Sequence, residues 1–332
     1  MTNNIIDRIK DCSLIFSSGN TVLLCGKYLW IYRIDGTLVI RHKEIRNPLK
    51  VMFLPNNTAI IDASGSRTYF YVSLDTGEII WRSIKKGRFT GSAYSFCLSP
   101  DGTTVYDTSV AAYGVLRIDR LKPEEFFHDT YTVRDGLRVT DAMCCDGPNS
   151  LSILQSHMIV DPDNAHSAHS PPIRQNGVLT IEFSEDGATH YWKHYWQSNR
   201  KNRNRMRGYD GKYILFEDLT ILDIETQHIF SLVGEERKLC PAAPFSWYYD
   251  SHRDFLFIYY IGIPVNIIID CKERKVISRY VLEIDGQGCL IGNKYWIGTT
   301  CGVVQCPFPH MDPLPDKMIC FGNHEKRAFG DQ

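Results

Sequence analysis

The turns of this chain recur at regular intervals along its length, and this regularity limits the folds open to it. One series of turns is predicted near Asn20, Asn57, Gly102, Pro148, Gly211, His252 and Gly292, at spacings of 37, 45, 46, 63, 41 and 40 residues. β-forming residues flank the turns, as in "FCLSPDGTTVYDTS" at 96–109, where Asp101 and Gly102 predict a two-residue hairpin turn. The pattern therefore predicts a succession of antiparallel hairpins.

A second series of turns repeats with the same period. Its members are predicted near Gly36, Thr76, Lys122, Asp186, Thr226 and Glu273, at spacings of 40, 46, 64, 40 and 47 residues. Both series contain one long interval, and it is the same interval. A unit of roughly 40–45 residues is typical of a four-stranded propeller blade. The sequence thus predicts an all-β fold, a seven-bladed β-propeller of four-stranded antiparallel blades, as a single domain over residues 1–332.

The long interval contains a predicted inserted loop at about 157–177. Its sequence, "HMIVDPDNAHSAHSPPIRQNG", has few β-formers and many Asp, Asn, Ser, Pro and His residues. Five of these residues are potential metal ligands: His157, Asp161, Asp163, His166 and His169. A metal ion needs three or four ligands in a rigid framework, which a loop of this composition does not offer. We therefore favour a solvated polar loop and predict no metal site.

Two segments resemble the blade motifs of known propellers. "LSPDGTTVY" at 98–106 resembles the first hairpin of such blades, and "DTGEIIW" at 75–81 is similar to the Thr-Gly-x-x-x-Trp segment of quinoprotein-type blades. The chain resembles the superfamily of YVTN, quinoprotein-like and WD-repeat β-propellers over essentially its full length. This resemblance implies that Trp81 docks between neighbouring sheets. The Trp motif occurs once, whereas quinoproteins repeat it, so we expect no cofactor.

The cysteines and the first residues bear on the cellular compartment. The eleven cysteines are odd in number and scattered, whereas an extracellular disulfide framework favours regularly spaced pairs. "MTNNIIDRIKDCSLIF" at 1–16 lacks the positive region and uninterrupted apolar core of a signal peptide. The apolar run at 255–270 is interrupted by glycine, proline and asparagine, which argues against a membrane helix. We expect a cytoplasmic protein that does not associate with membranes.

Residues 189–211, "THYWKHYWQSNRKNRNRMRGYDG", concentrate aromatic and then basic side chains. Strand alternation predicts one face with His190, Trp192, His194 and Trp196, and an opposite face with Tyr191, Lys193 and Tyr195. Five basic residues without an acid follow: Arg200, Lys201, Arg203, Arg205 and Arg207. Aromatic residues at strand spacing are also typical of blade core, and charged loops are typical of soluble surfaces. The aromatic residues can thus be blade core and the basic residues a solubilising loop, and both alternatives stay open alongside a role in partner binding.

The sequence favours an interaction module over an enzyme. No set of His, Glu or Asp residues has a spacing that would bring it together in a central funnel, and fold alone does not assign function. We expect a noncatalytic, monomeric scaffold that binds an acidic protein surface through the five basic residues with Tyr191 and Tyr195. Nucleic acid is less favoured, because the chain has a formal net charge of −1 and lacks a broad basic stripe. The alternative function is a small-molecule hydrolase or lactonase that uses the funnel.

Overall fold

The computed structural model describes residues 12–63, 68–84, 95–99, 101–109, 112–117, 131–132, 137–147, 149–159, 173–184, 187–198, 206–209, 212–216, 219–231, 245–250, 252–260, 265–282, 286–299 and 302–314. The regular elements in these ranges are all β-strands, which pair antiparallel. The prediction of an all-β fold with four-stranded antiparallel sheets is confirmed. The same ranges contain no helix with the length and apolar character needed to cross a membrane.

The described residues form seven sheets in succession, and neighbouring strands within a sheet are consecutive in sequence. The first sheet contains β1 (Cys12–Ser18), β2 (Thr21–Gly26), β3 (Tyr28–Arg33) and β4 (Leu38–Arg46). The second contains β5 (Pro48–Leu54), β6 (Thr58–Ala63), β7 (Thr68–Ser73) and β8 (Ile79–Ile84). The third contains β9 (Ser95–Leu98), β10 (Thr104–Ser109), β11 (Ala112–Arg117) and β12 (Tyr131–Thr132). The fourth contains β13 (Leu137–Gly147), β14 (Ser150–Ile159), β15 (Ile173–Ser184) and β16 (Gly187–Ser198).

The remaining sheets complete the described part of the chain. The fifth sheet contains β17 (Met206–Tyr209), β18 (Tyr213–Phe216), β19 (Thr220–Asp223) and β20 (Ile229–Ser231). The sixth contains β21 (Phe245–Asp250), β22 (Phe255–Tyr260), β23 (Val265–Asp270) and β24 (Lys275–Val281). The seventh has three strands in these ranges: β25 (Gly286–Ile291), β26 (Lys294–Thr299) and β27 (Gly302–Pro307).

The sheets are divided between two compact units. One unit comprises Met1–Leu49, Leu74–Glu78 and Ser231–Gln332, and it holds the first, sixth and seventh sheets. The other comprises Lys50–Ser73 and Ile79–Phe230, and it holds the second to fifth sheets apart from boundary residues.

The two predicted series of turns have fixed places in the sheets. Wherever their residues are described, the first series joins the first and second strands, and the second series joins the third and fourth. Three turns of the second series share a positive φ at the fourth residue after the preceding strand: Gly77 (75°), Gln227 (57°) and Arg274 (55°). The same backbone conformation at the same place supports a repeated structural unit.

The turn at 99–104 is longer than the predicted two-residue turn. The backbone N–H of Ser99 donates to the carbonyl of Thr104 at 2.8 Å, so four residues lie between the closing pair. Gly102 has a φ of 73° and donates its N–H to the carbonyl of Ser99 at 2.8 Å. The Asp101 carboxylate accepts hydrogen bonds from the backbone and hydroxyl of Thr103, at 3.1 and 2.9 Å. These side-chain bonds stabilise the longer turn, as Asp commonly does.

In the first of the two units, the seventh sheet packs between the other two. One face meets the first sheet in a buried cluster that includes Cys12, Ile15, Val22, Leu24, Cys289, Ile291 and Trp296. A Cβ added at Gly298 in β26 would lie 2.9 Å from Ile15 Cγ1, so glycine allows β1 to approach closely. The opposite face meets the sixth sheet through Phe257, Ile268, Tyr280, Leu290, Tyr295 and Ile297. The last sheet of the chain therefore packs against the first.

In the second unit, consecutive sheets also pack in series. Leu54, Ile60, Tyr69 and Tyr71 of the second sheet form a buried cluster with Val105 of the third. Trp81 of β8 is half-buried against this cluster, and its ring centroid lies 5.9 Å from that of Tyr71. Further along, β13 contacts both β9 and β17, which links the third, fourth and fifth sheets.

Strand structure extends into the predicted loop at 157–177. His157, Met158 and Ile159 continue β14 and pair with Gln175, Arg174 and Ile173 of β15. Residues 160–172, with Asp161, Asp163, His166 and His169, lie outside the described residues.

Candidate partner-binding surfaces

The aromatic strand β16 forms the outer edge of the fourth sheet. Tyr191 is 53% exposed, and its cross-strand partner is Thr180 of β15. Strict alternation along β16 ends at Tyr195, because Asn176 pairs with Trp196 whereas Gly177 pairs with His194. Tyr195 is the extra residue of a β-bulge, so the predicted common face of Tyr191 and Tyr195 does not follow from strand spacing.

The predicted basic residues fall mostly beyond the described ranges. Arg200, Lys201, Arg203 and Arg205 lie outside the described residues, and Arg207 lies in β17. The backbone at Arg207 is bulged, because Met206 pairs with Phe216 and Gly208 pairs with Leu215. Among the predicted site residues, side-chain exposure is described for Tyr191 alone.

A cation and two aromatic rings meet on the outer strands of the first sheet. The Arg41 guanidinium of β4 lies over the rings of Tyr28 and Trp30 in β3, at 4.8 and 5.1 Å from their centroids. Lys27 Nζ lies 5.6 Å from the Tyr28 centroid. The two rings meet edge to face with centroids 6.2 Å apart. We call Lys27, Tyr28, Trp30 and Arg41 the Arg41 cluster.

Local strand geometry explains how the Arg41 cluster forms. Tyr28 and Trp30 are two residues apart in β3, so they share a face, and Trp30 pairs across the ladder with Arg41. Trp30 also packs against the buried core between the first and seventh sheets. The ring is therefore fixed on its inner side, while Arg41 and Lys27 are exposed.

Charge on β4 is mainly positive. Arg41, Lys43 and Arg46 are exposed on this strand together with one acid, Glu44. Within the described part of the chain, Arg41 makes its ring contacts and no hydrogen bond or ion pair. An unneutralised guanidinium on an aromatic support can accept a carboxylate or a phosphate through two parallel hydrogen bonds.

A histidine–aspartate pair at the edge of the sixth sheet has a structural role. His310 Nε2 lies 2.7 Å from Asp312 Oδ1. The other oxygen of Asp312 accepts the backbone N–H of Val281 at 2.9 Å, and the backbone N–H of His310 donates to Ser278 Oγ at 3.1 Å. These contacts attach residues 310–312 to β24, so the carboxylate is engaged with the backbone as well as with the imidazole.

Burial favours the protonated form of four described thiols, those of Cys12, Cys25, Cys289 and Cys306. Burial raises the pKa of Cys12 and of Cys289 to about 12, and it raises the pKa of Cys25 well above its ordinary value. Burial, and then the charge of Asp312, raise the pKa of Cys306. A raised pKa disfavours the thiolate, which is the nucleophile and the metal ligand. No three His, Cys, Asp or Glu side chains within the described ranges are grouped to hold a metal ion.

Two sequence comparisons bear on the family of this chain. No family model matches the chain, and no curated protein matches it. The features that point to a function are therefore those of the chain's own surface.

The sequence analysis did not select the Arg41 cluster. The available signal was the alternation of Tyr28 and Trp30 in "YLWIYR" and the basic residues of "LVIRHKEIR". The register between these strands shifts twice, between Tyr28 and Leu29 and between Ile31 and Tyr32. Spacing alone does not reveal such shifts, so it could not pair Trp30 with Arg41.

Proposed function

We propose that this chain is a noncatalytic, seven-bladed β-propeller that serves as a scaffold for a protein partner with an acidic surface. The observation that carries this proposal is Tyr191, a large aromatic side chain that is 53% exposed on an outer strand. In sequence, β16 leads directly to the basic residues at 200–207. Aromatic residues and arginine are enriched at protein interfaces, and this segment of the chain contains both.

The repeat of sheets and turns supports the seven-bladed arrangement. Each sheet is built from consecutive strands, and the turns of both series recur at equivalent places. Within one unit the seventh sheet packs against the first, as a chain that returns to its starting point requires. Consecutive sheets pack face to face elsewhere in each unit, which is the packing of propeller blades.

The state of the cysteines supports a reducing compartment. Six cysteines are described as free thiols: Cys12, Cys25, Cys97, Cys271, Cys289 and Cys306. Disulfides are rare in the cytosol, where thiols are kept reduced. A cytoplasmic location is therefore part of this proposal.

Partner capture with two matched variants tests the binding role. Proteins retained from native lysate by the full chain are identified, and the most enriched one is purified for titration. We expect Tyr191→Ala, and separately the triple change of Arg203, Arg205 and Arg207 to Ser, to weaken its binding by about tenfold. The triple variant should also flatten the salt dependence. Ile229→Ala, which alters another exposed side chain of the same unit, is the control.

Two results would contradict the proposal. The first is unchanged affinity of both variants for the purified partner at low and high salt, which would make this surface only a solubilising one. The second concerns the hydrolase or lactonase alternative. Turnover of a lactone or ester panel, abolished by changing acidic or histidine residues of the funnel, would make the chain an enzyme.

A further inference from the structure

The Arg41 cluster is a second surface with the properties of a binding site. Its guanidinium is exposed, lies over two aromatic rings, and has no hydrogen bond or ion pair within the described part of the chain. We propose that the Arg41 cluster is a carboxylate-binding site for an acidic peptide segment of a partner protein. It is in a different unit from Tyr191, and the two proposals can fail separately.

The chemistry of Arg41 fits a carboxylate. Guanidinium is planar and has five N–H donors, which lie in its plane and point away from a ring that it covers. A carboxylate can accept two parallel hydrogen bonds from that edge. Arg41 can therefore keep its contacts with the aromatic rings while it donates hydrogen bonds to a carboxylate.

Neighbouring charge strengthens the site for an anion. Lys27 lies over the same Tyr28 ring, and Arg46 is the cross-strand partner of Tyr28. Both side chains are exposed. Lys27 and Arg41 over the ring, together with Arg46 across the ladder, produce a local positive field in a chain whose formal net charge is −1. A peptide with successive acidic side chains can meet Arg41 with one carboxylate and Lys27 or Arg46 with the next.

The aromatic support reduces the entropy cost of binding. Trp30 packs against the buried core, and its edge-to-face contact with Tyr28 joins the two rings. Arginine side chains lose rotamer entropy when they become fixed. Because the two rings already restrict Arg41, part of this cost has been met before the ligand arrives.

The same geometry disfavours nucleic acid. Single-stranded nucleic acid binds by stacking its bases on exposed aromatic faces. Here Arg41 lies over both rings and Lys27 also lies over Tyr28, so a base would have to displace a cation. The surface therefore presents cationic N–H groups, which suit the compact charge of a carboxylate.

Fluorescence anisotropy with the full chain tests this site. The probe is a fluorescein-labelled hexaglutamate peptide, with hexaglutamine as the uncharged peptide and oligothymidylate as the nucleic acid. We expect hexaglutamate to bind more tightly than either, and Arg41→Gln to weaken its binding by about tenfold. Arg41→Lys keeps the charge but loses the planar pair of donors, so it should give an intermediate affinity.

Two control variants separate this site from general charge and from the first proposal. Lys272→Gln removes an exposed cation of the sixth sheet turn and should leave hexaglutamate binding unchanged. Tyr191→Ala should also leave it unchanged, even though the same change weakens capture of the purified partner. Equal binding of hexaglutamate and hexaglutamine would overturn the proposal, as would wild-type affinity in Arg41→Gln. If oligothymidylate bound more tightly than hexaglutamate, and Arg41→Gln abolished that binding, the cluster would be a nucleic-acid site and the peptide proposal would be wrong.

Discussion

Glycine at position 77 shows how one residue constrains the contact between β4 and a turn. Its φ is 75°, in the left-handed region that side chains rarely adopt. A Cβ built there would also collide with the side chain of Ile40, whose own Cβ would lie 2.9 Å away. The turn before β8 can therefore approach β4 only because residue 77 has no side chain.

We expect Gly77→Ala to lower the free energy of unfolding by about 2–4 kcal/mol, from backbone strain and from the collision with Ile40. Gly36→Ala is the matched control, because Gly36 has a φ of 90° and no atom within 4 Å of an added Cβ. That variant should lose only the strain, about 1–2 kcal/mol. Urea unfolding measures both. Equal losses would show that Ile40 does not oppose a side chain at 77.

His42 on β4 packs against the same turn and makes stability depend on pH. Its side chain is buried, and burial lowers the pKa of the imidazole below 6.5, although a hydrogen bond with the Gly77 backbone and the charge of Glu44 raise it. Below the unfolded pKa the unfolded chain gains a proton that the folded chain resists. Stability therefore falls as the pH drops through this range, down to the folded pKa.

The comparison is His42→Gln, which does not titrate. Urea unfolding at a series of pH values should show the wild type losing more stability than His42→Gln as the pH falls below 6.5. If the free energy of unfolding changed with pH in the same way for the wild type and His42→Gln, His42 would not be the cause of the pH dependence.

At the scale of elements, the segment after β27 extends the sixth sheet. Met311 forms a parallel bridge with Arg279 of β24, and the Asp312 N–H donates to the carbonyl of Arg279 at 3.0 Å. The backbone N–H of Arg279 donates to the carbonyl of His310 at 2.8 Å. This short addition covers the outer edge of β24, and covered edges are protected against association with other chains.

Asp312→Ala should loosen this addition. The change removes the acceptor of the Val281 N–H and the partner of His310, so we expect a loss of about 1–2 kcal/mol. Hydrogen exchange should become faster at the amide groups of Val281 and Asp312. Asp312→Asn keeps an oxygen acceptor for the N–H of Val281, so its exchange rates should lie between those of the wild type and those of Asp312→Ala. Unchanged exchange in Asp312→Ala would show that backbone bonds alone hold the segment.

Sequence spacing predicted elements better than it predicted local register. The positions of the described turns followed from Gly, Asn and Asp between β-forming runs, because these residues have strong local preferences. The extra residue at Tyr195 and the four-residue turn after Ser99 did not follow. A bulge depends on the partner strand, which a single strand's spacing does not contain. The Arg41 cluster was missed for the same reason.

At the scale of the whole molecule, the sequence period predicted sheets built from consecutive antiparallel strands, whereas the closed seven-bladed arrangement stays a prediction. Because propellers join their ends so that no edge strand is left unpaired, we expect the segments 3–16 and 316–322 to lie together in a closing sheet. Residues 12–16 belong to β1 and pair with β2, and residues 3–11 and 316–322 lie outside the described residues, so this expectation stays a prediction. The seventh sheet has three described strands, with β27 at its edge.

We predict that residues 1–11 complete the seventh sheet beside β27. They precede β1, which contacts β25, β26 and β27 of that sheet. One residue, Asn47, separates β4 at an edge of the first sheet from β5 at an edge of the second, so one sheet can lead almost directly into the next. Deleting residues 1–11 should therefore expose the β27 edge, lower the cooperativity of thermal melting and promote self-association. Calorimetry and light scattering measure these effects.

An edge-specific variant distinguishes strand loss from general destabilisation. Val304 of β27 is 42% exposed, and a lysine there should oppose edge-to-edge pairing because natural edge strands use Lys in this way. Introduced into the deletion variant, Val304→Lys should suppress self-association without restoring the melting temperature. Deletion of residues 324–332, at the other end of the sequence, is the control for the effect of shortening the chain. A cooperative melt and monomeric scattering after deletion of residues 1–11 would mean that the seventh sheet is closed by other residues or ends at β27.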